Sequence, residues 1–118
     1  MKKAALGLLI FTLLSFAFTT PKQITTTALR VTVLDDAGNI QEGAKVTLYK
    51  TQEDFEKEQN PVSAAQTTSN KGFVIFRSLE PKIYYVAVSK GDLDNSGGST
   101  QTQELKSGAV NKVNIIIE

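Results

Sequence analysis

Short apolar segments that follow glycine turns constrain the fold of this chain more than any other feature. Residues 44–49 follow Gly43 and alternate between apolar and polar side chains, and residues 73–77 follow Gly72 and are almost wholly apolar. Residues 83–89 form a third short segment, which is also mostly apolar and follows the turn at 79–82. Successive side chains of a β-strand point to opposite faces, so a period of two indicates a half-buried strand and a short apolar run indicates a strand buried on both faces. The pattern is typical of a small antiparallel sandwich.

The rest of the chain supplies further strands of the same kind. Residues 29–33 alternate clearly, residues 62–68 weakly, and residues 110–117 again clearly, with Val113, Ile115 and Ile117 on one face. Residues 101–105 form a short polar segment suited to a sheet edge. About seven strands, with turn signals roughly every eight to twelve residues, favour an all-β sandwich. We therefore predict an all-β, seven-stranded antiparallel Greek-key β-sandwich.

A polar stretch from Thr51 to Asn60 interrupts the strands. Thr51 followed by Asp54 is a weak helix-start signal, and Pro61 ends the stretch. The sequence predicts either a helix of one or two turns or an irregular excursion. In both cases we expect Phe55, its lone apolar residue, to hold it against the sandwich.

The N-terminus has the pattern of a secretory signal. Lys2 and Lys3 precede an apolar run over residues 4–14, and residues 15–17 include small side chains at the positions that a signal peptidase reads. An uncleaved membrane anchor is the alternative, but a spanning helix needs about 20 apolar residues and this run is shorter. We predict three segments: a signal peptide at 1–17, a flexible leader at 18–27 and one domain at 28–118.

Charge and cysteine content narrow the partners and the location. Two of the 13 Lys and Arg residues lie in the predicted signal, so 11 remain against 12 acidic residues, a balance that offers nothing to nucleic acid. The chain has no cysteine, which excludes disulfides and a lipid attachment site. We predict an exported protein, periplasmic or secreted, that is not a lipoprotein and has no stable membrane insertion after signal cleavage.

The absence of histidine limits the chemistry. Without an imidazole, the chain lacks the usual general base, the serine and cysteine triads that depend on it, and the usual zinc ligands. The carboxylates of Asp35, Asp36 and Glu42 cluster around the first turn, where a turn role explains them. A hydrolase would require such acids to converge in a cleft. We predict that the protein is not an enzyme.

Several of these segments together resemble a known family. The residues that carry the resemblance are Gly38, Thr68, Leu79 and the ranges 31–35, 43–48, 72–76 and 84–88. They look like the carboxypeptidase-regulatory-like domains of the transthyretin-like (prealbumin-like) superfamily, over roughly residues 28–118. The resemblance implies a non-catalytic module, here of the standalone exported bacterial type. Hydroxyisourate-hydrolysing relatives depend on histidines, so that activity does not carry over.

One loop has metal-ligand character. Asp92, Asp94 and Ser96 place side-chain oxygens at alternate positions, followed by Gly97, as at the start of a calcium loop. The twelfth position is Gln103 rather than a bidentate glutamate. Asp92, Asp94 and Ser96 are therefore candidate calcium ligands, and a solvated glycine loop is the alternative. No other cofactor is predicted.

Three tyrosines are the candidate binding residues. We expect Tyr49 and one of Tyr84 and Tyr85 to point out of the sandwich, where an aromatic ring can anchor a partner or stack on a sugar. An ordinary cross-strand pair is the alternative.

The function predicted from the sequence is binding or scaffolding in the bacterial cell envelope. Protein–protein contact through a sheet edge or the loops at one end is the leading mechanism. A glycan-binding module, with a calcium-supported loop at 92–97, is the alternative.

Overall fold

The structure, a computed structural model, describes residues 26–118. It contains seven strands and one short helix, which are β1 (Thr27–Asp35), β2 (Lys45–Tyr49), α1 (Gln52–Lys57), β3 (Gln66–Thr67), β4 (Phe73–Leu79), β5 (Tyr85–Lys90), β6 (Leu93–Asp94) and β7 (Val110–Ile117). Sheet I has the order β4-β1-β7, and sheet II has the order β3-β2-β5-β6. The predicted all-β class and the two-sheet sandwich are confirmed.

The core lies between the two sheets and is built from the alternate residues of each strand. Every second side chain of β1, β2, β4, β5 and β7 points inward, as a period of two requires. The buried cluster consists of Leu29, Val31, Val33, Ala44, Val46, Leu48, Val74, Phe76, Tyr84, Val86, Val88, Leu105, Ile115 and Ile117. The inward positions predicted for β2 and β7 are confirmed.

The prediction that all strands run antiparallel is wrong for one pair. β1 and β7 are parallel, with Ala28 opposite Val110 and Asp35 opposite Ile117. The cause is the connection before β7: residues 95–109 cross from sheet II to sheet I and deliver the chain beside the start of β1. Because β1 and β7 are the first and last strands of the described domain, no tight hairpin joins them, and their relative direction is not forced to be antiparallel.

The short strands differ from those predicted. Residues 101–105 form no strand, because the Thr102 hydroxyl takes the backbone N–H of Tyr84 at 3.0 Å and only a single bridge joins Tyr85 to Gln101. A two-residue strand, β6, lies instead in the segment predicted as a loop at 92–99. Of the weak strand predicted at 62–68, the structure retains Gln66–Thr67.

The first described strand begins within the segment predicted as a flexible leader at 18–27. Thr27, assigned to the leader from sequence, is the first residue of β1, is buried, and accepts a hydrogen bond from Gly108 N at 2.9 Å. The predicted signal peptide at 1–17 and the leader as far as residue 25 lie outside the described residues. Within residues 26–118, no helix has the length and apolar content needed to cross a membrane.

The predicted helix is confirmed. Thr51 is the N-cap of α1, and its hydroxyl accepts the backbone N–H of Asp54 at 3.1 Å. The helix ends at Glu58, whose backbone is left-handed with φ of 49°. Phe55 packs on the outer face of sheet II, edge-on to Tyr49 with ring centroids 6.0 Å apart and tilted against Tyr85 at 6.3 Å. Phe55 thus holds the excursion, as expected.

Gly72 is required where two turns meet. Its φ is +79°, and an added Cβ would lie 2.7 Å from Cβ of Ile40 in the first turn. Its carbonyl also accepts the N–H of Val33 at 2.8 Å. Both the backbone conformation and the close approach therefore exclude a larger residue.

Candidate functional site

Tyr49 and Tyr85 point out of the sandwich, as expected of two of the three tyrosines, and they form a cross-strand pair between β2 and β5. Tyr84 is 1% exposed and lies in the core, where its hydroxyl accepts the N–H of Glu80 at 3.0 Å. Tyr49 does point to the outer face of sheet II, but Phe55 covers it and leaves 5% exposed. Tyr85 is half-buried beside the same phenylalanine. The sequence predicted that Phe55 packs against the sandwich, but not that its ring covers Tyr49.

Burial also changes the acidity of Tyr49. Its phenol is desolvated, and the nearby carboxylate of Glu58 adds a smaller repulsion, so the pKa of Tyr49 is raised above its ordinary value. The ring therefore acts as part of a small aromatic cluster with Phe55 and Tyr85 and offers no platform for a sugar or a partner side chain.

Two of the three candidate calcium residues, Asp94 and Ser96, bond to each other. Asp94 Oδ1 accepts the backbone N–H of Ser96 at 2.9 Å and its hydroxyl at 2.6 Å. These bonds, the hydroxyl foremost, lower the pKa of Asp94. Asp92 is exposed and makes no hydrogen bond with either. Across residues 26–118, no three His, Cys, Asp or Glu residues are grouped so that they could hold a metal ion.

The fourth polar residue of this loop, Asn95, points inward. It is 4% exposed, and its Oδ1 accepts the N–H of Val88 at 2.9 Å. Its Nδ2 donates to the carbonyls of Val86 at 2.8 Å and Ser99 at 3.0 Å. The side chain of Asn95 thus makes the hydrogen bonds that an additional strand residue would make at the edge of β5. These bonds give this polar loop a structural role.

The acids of the first turn do not converge in a cleft. Asp35 Oδ1 accepts the backbone N–H groups of Asn39 at 2.8 Å and Ala37 at 3.0 Å. The bond from Asn39 N is the main cause of the lowered pKa of Asp35. Glu42 is exposed on the far side of the turn. The turn role predicted for these aspartates accounts for the geometry.

The feature of the fold best placed to bind something is the open edge of sheet I. β7 is the last strand of that sheet, and Ala28 N donates to Ala109 O at 3.0 Å at the start of the pair. In a parallel ladder alternate residues face the neighbouring strand, so the odd-numbered residues of β7 bond to β1. The N–H and C=O groups of Val110, Lys112, Asn114 and Ile116 face away from it.

These four residues form what we call the open edge. Within the described part of the chain, none of them has a backbone partner on that side. Beyond them the edge closes, because Glu118 exchanges two hydrogen bonds with Asp94 of β6, at 3.1 and 3.4 Å. The free stretch is therefore about seven residues long.

The other sheet edges in residues 26–118 are blocked or very short. β3 and β6 have two residues each. On the outer side of β4, Ser69 N donates to Phe73 O at 3.2 Å, and Gln66 Nε2 donates to Ile75 O at 3.0 Å. Short edge strands and capped carbonyls are devices that prevent pairing with other chains. The open edge of β7 lacks both.

A groove of about 450 Å³ runs beside the open edge. One wall is β7 at residues 111–114, and the other is the extended segment at 99–106. That segment is fixed along β5 because Thr100 O accepts Val86 N at 2.8 Å and Thr102 N donates to Tyr84 O at 2.9 Å. At one end, the Asn111 side chain bonds to Lys106 N and Lys106 O, at 2.8 and 3.2 Å, and ties the two walls together.

The sequence did not single out this edge. The alternation in residues 110–117 predicts a strand, and the inward face was identified correctly. Which strand lies at a sheet edge depends on pairing between segments about 80 residues apart, and no local signal reports it. Lys112 and Asn114 are polar residues at positions that alternate with the apolar Val113 and Ile115, and this is the only indication of solvent exposure that the sequence of β7 gives.

Comparisons with known proteins identify no family. No protein-family model and no curated protein matches the chain. Among solved structures it is similar to the Bacillus anthracis TIE protein, at 20% identity over 78% of this chain and 16% of that one, with a TM-score of 0.49.

Two dioxygenase structures give similar values. Chlorocatechol 1,2-dioxygenase from Pseudomonas putida is 15% identical over 85% of this chain and 64% of that one, with a TM-score of 0.48. Acinetobacter radioresistens catechol 1,2 dioxygenase is 14% identical over 81% and 53%, with a TM-score of 0.44. The chain spans less than two thirds of each of these proteins. At such TM-scores, the likeness supports no functional conclusion.

Proposed function

We propose that this protein is an exported, non-catalytic β-sandwich module that binds another protein of the bacterial cell envelope by accepting an extended segment along the open edge. The observation that carries the proposal is the row of N–H and C=O groups on Val110, Lys112, Asn114 and Ile116 that have no backbone partner among residues 26–118. Main-chain hydrogen bonds at a free sheet edge supply affinity for an added strand, and adjacent pockets supply selectivity.

The groove supports the same function. A strand added to β7 would lie about 4.8 Å from it, on the side where the groove is found. Its inward side chains would meet Val113 and Leu105, and its outward ones would continue the outer face of sheet I. The receptor surface is held in place by the bonds of the 99–106 segment to β5, so little ordering is needed on binding.

Location and family are part of the proposal. Export to the periplasm or beyond rests on the basic and apolar N-terminal pattern, and the lack of cysteine argues against a lipoprotein. Membership of the carboxypeptidase-regulatory-like domains, with their Greek-key connectivity, rests on the residues that resemble that family. The nearly balanced charge argues against nucleic acid, and the absence of histidine argues against catalysis.

Glycan binding has lost its main support. It required outward aromatic rings on an exposed face, whereas Tyr49 and Tyr84 are buried and Tyr85 is half-buried. Protein contact through an edge depends on none of these residues.

Strand addition is tested by hydrogen exchange on the mature chain with an acetylated eight-residue peptide of alternating threonine and valine. The outward amides of Lys112, Asn114 and Ile116 are expected to slow when the peptide is added, whereas the amide of Val113, already bonded to β1, stays unchanged. Unchanged exchange at all three outward amides would refute the proposal.

A proline variant provides the matched control. Asn114→Pro removes one outward N–H without removing a bond to β1, so the fold is retained while peptide binding is lost. Asn114→Ala keeps the N–H and is expected to bind as the native chain does. If Asn114→Pro binds equally well, the contact does not involve the open edge.

A further inference from the structure

We infer that the segment received at the open edge is acidic, with a carboxylate placed directly beside Lys112 on the outer face of sheet I. This inference rests on the proposed strand addition and specifies the partner's chemistry. It follows from an unneutralised pair of cations on that face.

The register of sheet I places Arg30 and Lys112 side by side. Arg30 of β1 is the Cα partner of Ile75 on β4 and of Lys112 on β7. All three side chains point away from the core, because Leu29, Val31 and Val113 on either side of them point inward. The row across the sheet is therefore Ile75, Arg30, Lys112 and then the open edge.

No carboxylate neutralises this row. The two salt bridges found in residues 26–118 are Lys50 with Glu80 and Lys57 with Glu53, and neither includes Arg30 or Lys112. Like charges directly opposite each other on neighbouring strands are destabilising. This pair of like charges therefore lowers the stability of the folded chain, and an anionic group beside the pair would relieve the repulsion.

Arg30 is held in position and is incompletely bonded. Its guanidinium lies over the ring of Phe73, 4.4 Å from the ring centroid, which fixes its direction along the face. Its Nε is shielded from solvent and has no hydrogen-bond partner in residues 26–118. Buried donors are normally satisfied, and an unpartnered one is an exception that calls for an explanation. Because Phe73 belongs to β4, the guanidinium of Arg30 is turned away from β7, and the exposed Lys112 is the cation nearest the open edge and the one that favours an anionic neighbour there.

An added strand would bring such a group to the right place. The residue opposite Lys112 on that strand has its Cβ about 4.5–5.5 Å from the lysine Cβ and points to the same face. An aspartate or glutamate there would pair with Lys112 and reduce its repulsion with Arg30. The polar neighbour Asn114, on the same edge and face, accommodates an uncharged residue at the next outward position.

Other occupants fit this charge less well. The predicted leader at 18–27 contains Lys22 and no acidic residue, so it would add a third cation. A second copy pairing through its own β7 brings another Lys112 beside the first. Its nearby acids are not on β7, because Glu104 lies on the other wall of the groove and Glu118 follows the strand, where Asp94 engages its backbone. The charges therefore favour an acidic segment of a different protein at the open edge.

The test compares three acetylated, amidated eight-residue peptides on the mature chain. They share the alternating threonine–valine sequence, and the two central threonines are kept, replaced by glutamate or replaced by lysine. A cross-strand charge pair contributes up to about 1 kcal/mol, so the glutamate peptide is expected to bind up to about fivefold more tightly than the threonine peptide, and the lysine peptide more weakly. The preference should shrink in high salt.

Charge reversal shows whether Lys112 sets the preference. Lys112→Glu is expected to invert the order of the glutamate and lysine peptides. Lys45→Glu, an equal charge change at an exposed strand position on sheet II, is expected to leave the order unchanged. An equal effect of both variants would show that net charge alone is responsible and would overturn the inference.

The remaining outcomes separate this inference from the proposed function. Equal affinities for all three peptides, with the amides of Lys112 and Asn114 protected, would overturn the acidic preference and leave strand addition standing. Failure of every peptide to protect those amides would overturn both. If no peptide protects these amides and the chain binds anionic vesicles in a way that depends on Lys112, the ligand of the cations is a lipid surface. If the Lys112→Thr variant self-associates and the native chain shows no peptide preference, the role of Lys112 is to prevent association between copies of this chain.

Discussion

The loop between β6 and residue 100 is expected to depend on one buried amide, that of Asn95. The substitution Asn95→Ala removes an acceptor from Val88 N and a donor from the carbonyls of Val86 and Ser99. All three bonds lie at or near the buried edge of β5, and Asn95 is 4% exposed. Water therefore has little access to the groups that lose their partners.

The magnitude follows from what is left unpaired. A buried N–H without a partner costs about 1–3 kcal/mol, and each lost bond to a carbonyl costs about 0.5–1.5 kcal/mol net. We expect Asn95→Ala to reduce the free energy of unfolding by about 3 kcal/mol, a large share of the 5–15 kcal/mol typical of a domain. In a domain of this size, that corresponds to a fall in melting temperature of roughly 12–24 °C.

The assay is urea unfolding followed by far-ultraviolet circular dichroism, with Asn70→Ala as control. Asn70 lies exposed in the turn before β4 and makes no side-chain hydrogen bond in the described structure, so its variant should stay within about 0.5 kcal/mol of the native chain. Asn95→Asp supplies a second check: it places a carboxylate against two carbonyls, so its destabilisation should be relieved as the pH falls and the group is protonated. If Asn95→Ala behaves like the control, the loop is not held by this amide and the reasoning is refuted.

Three further predictions concern other contacts. Gly72→Ala should lower the free energy of unfolding by about 2 kcal/mol, because the backbone there is left-handed and the added Cβ would lie 2.7 Å from Cβ of Ile40. Gly98→Ala is the control, since there is open space around Gly98, and its free energy of unfolding should stay within about 0.5 kcal/mol of the native value in the same assay. Phe55→Ala should lower the free energy of unfolding by about 1–2 kcal/mol, which is less than the loss expected for a fully buried phenylalanine. It should also lower the pKa of Tyr49 toward its ordinary value, as measured by an alkaline absorbance titration. An unchanged titration would contradict the packing of Phe55 on Tyr49. Asp35 has a lowered folded-state pKa, so its stabilisation is present above the unfolded-state value near pH 4 and is lost as the pH falls; the melting temperature of Asp35→Asn should depend less on pH in that range, and an equal dependence would contradict the assignment.

Much of the fold follows from local sequence. The alternation in residues 44–49 and 110–117 assigns the inward side chains correctly because one face of each strand must leave water, and a period of two is the signature of that burial. The Thr51 cap is likewise a local matter, since its hydroxyl reaches an N–H three residues away. The parallel pairing of β1 with β7 was not predicted because it joins segments about 80 residues apart in the sequence.

The site was predicted poorly for the same reason. Tyr49 alternates outward as expected, but its exposure depends on where α1 packs, and it is buried beneath Phe55. The loop at 92–99 has the oxygen spacing of a calcium site, yet Asn95 turns inward and Asp94 bonds to Ser96. In both cases the contacts of the side chain depend on the residues that pack beside it, which the local sequence pattern does not report.

The amino-acid sequence by itself determined the class of this protein: an all-β sandwich without histidine or cysteine, and therefore without the chemistry those residues support. The tertiary structure decided which strand is left at an edge and which cations share a face. Arg30 and Lys112 are 82 positions apart and become neighbours when β7 pairs with β1. Side-chain periodicity is set by the geometry of a single strand, whereas an edge is defined by the absence of a neighbour, a property that the whole sheet determines.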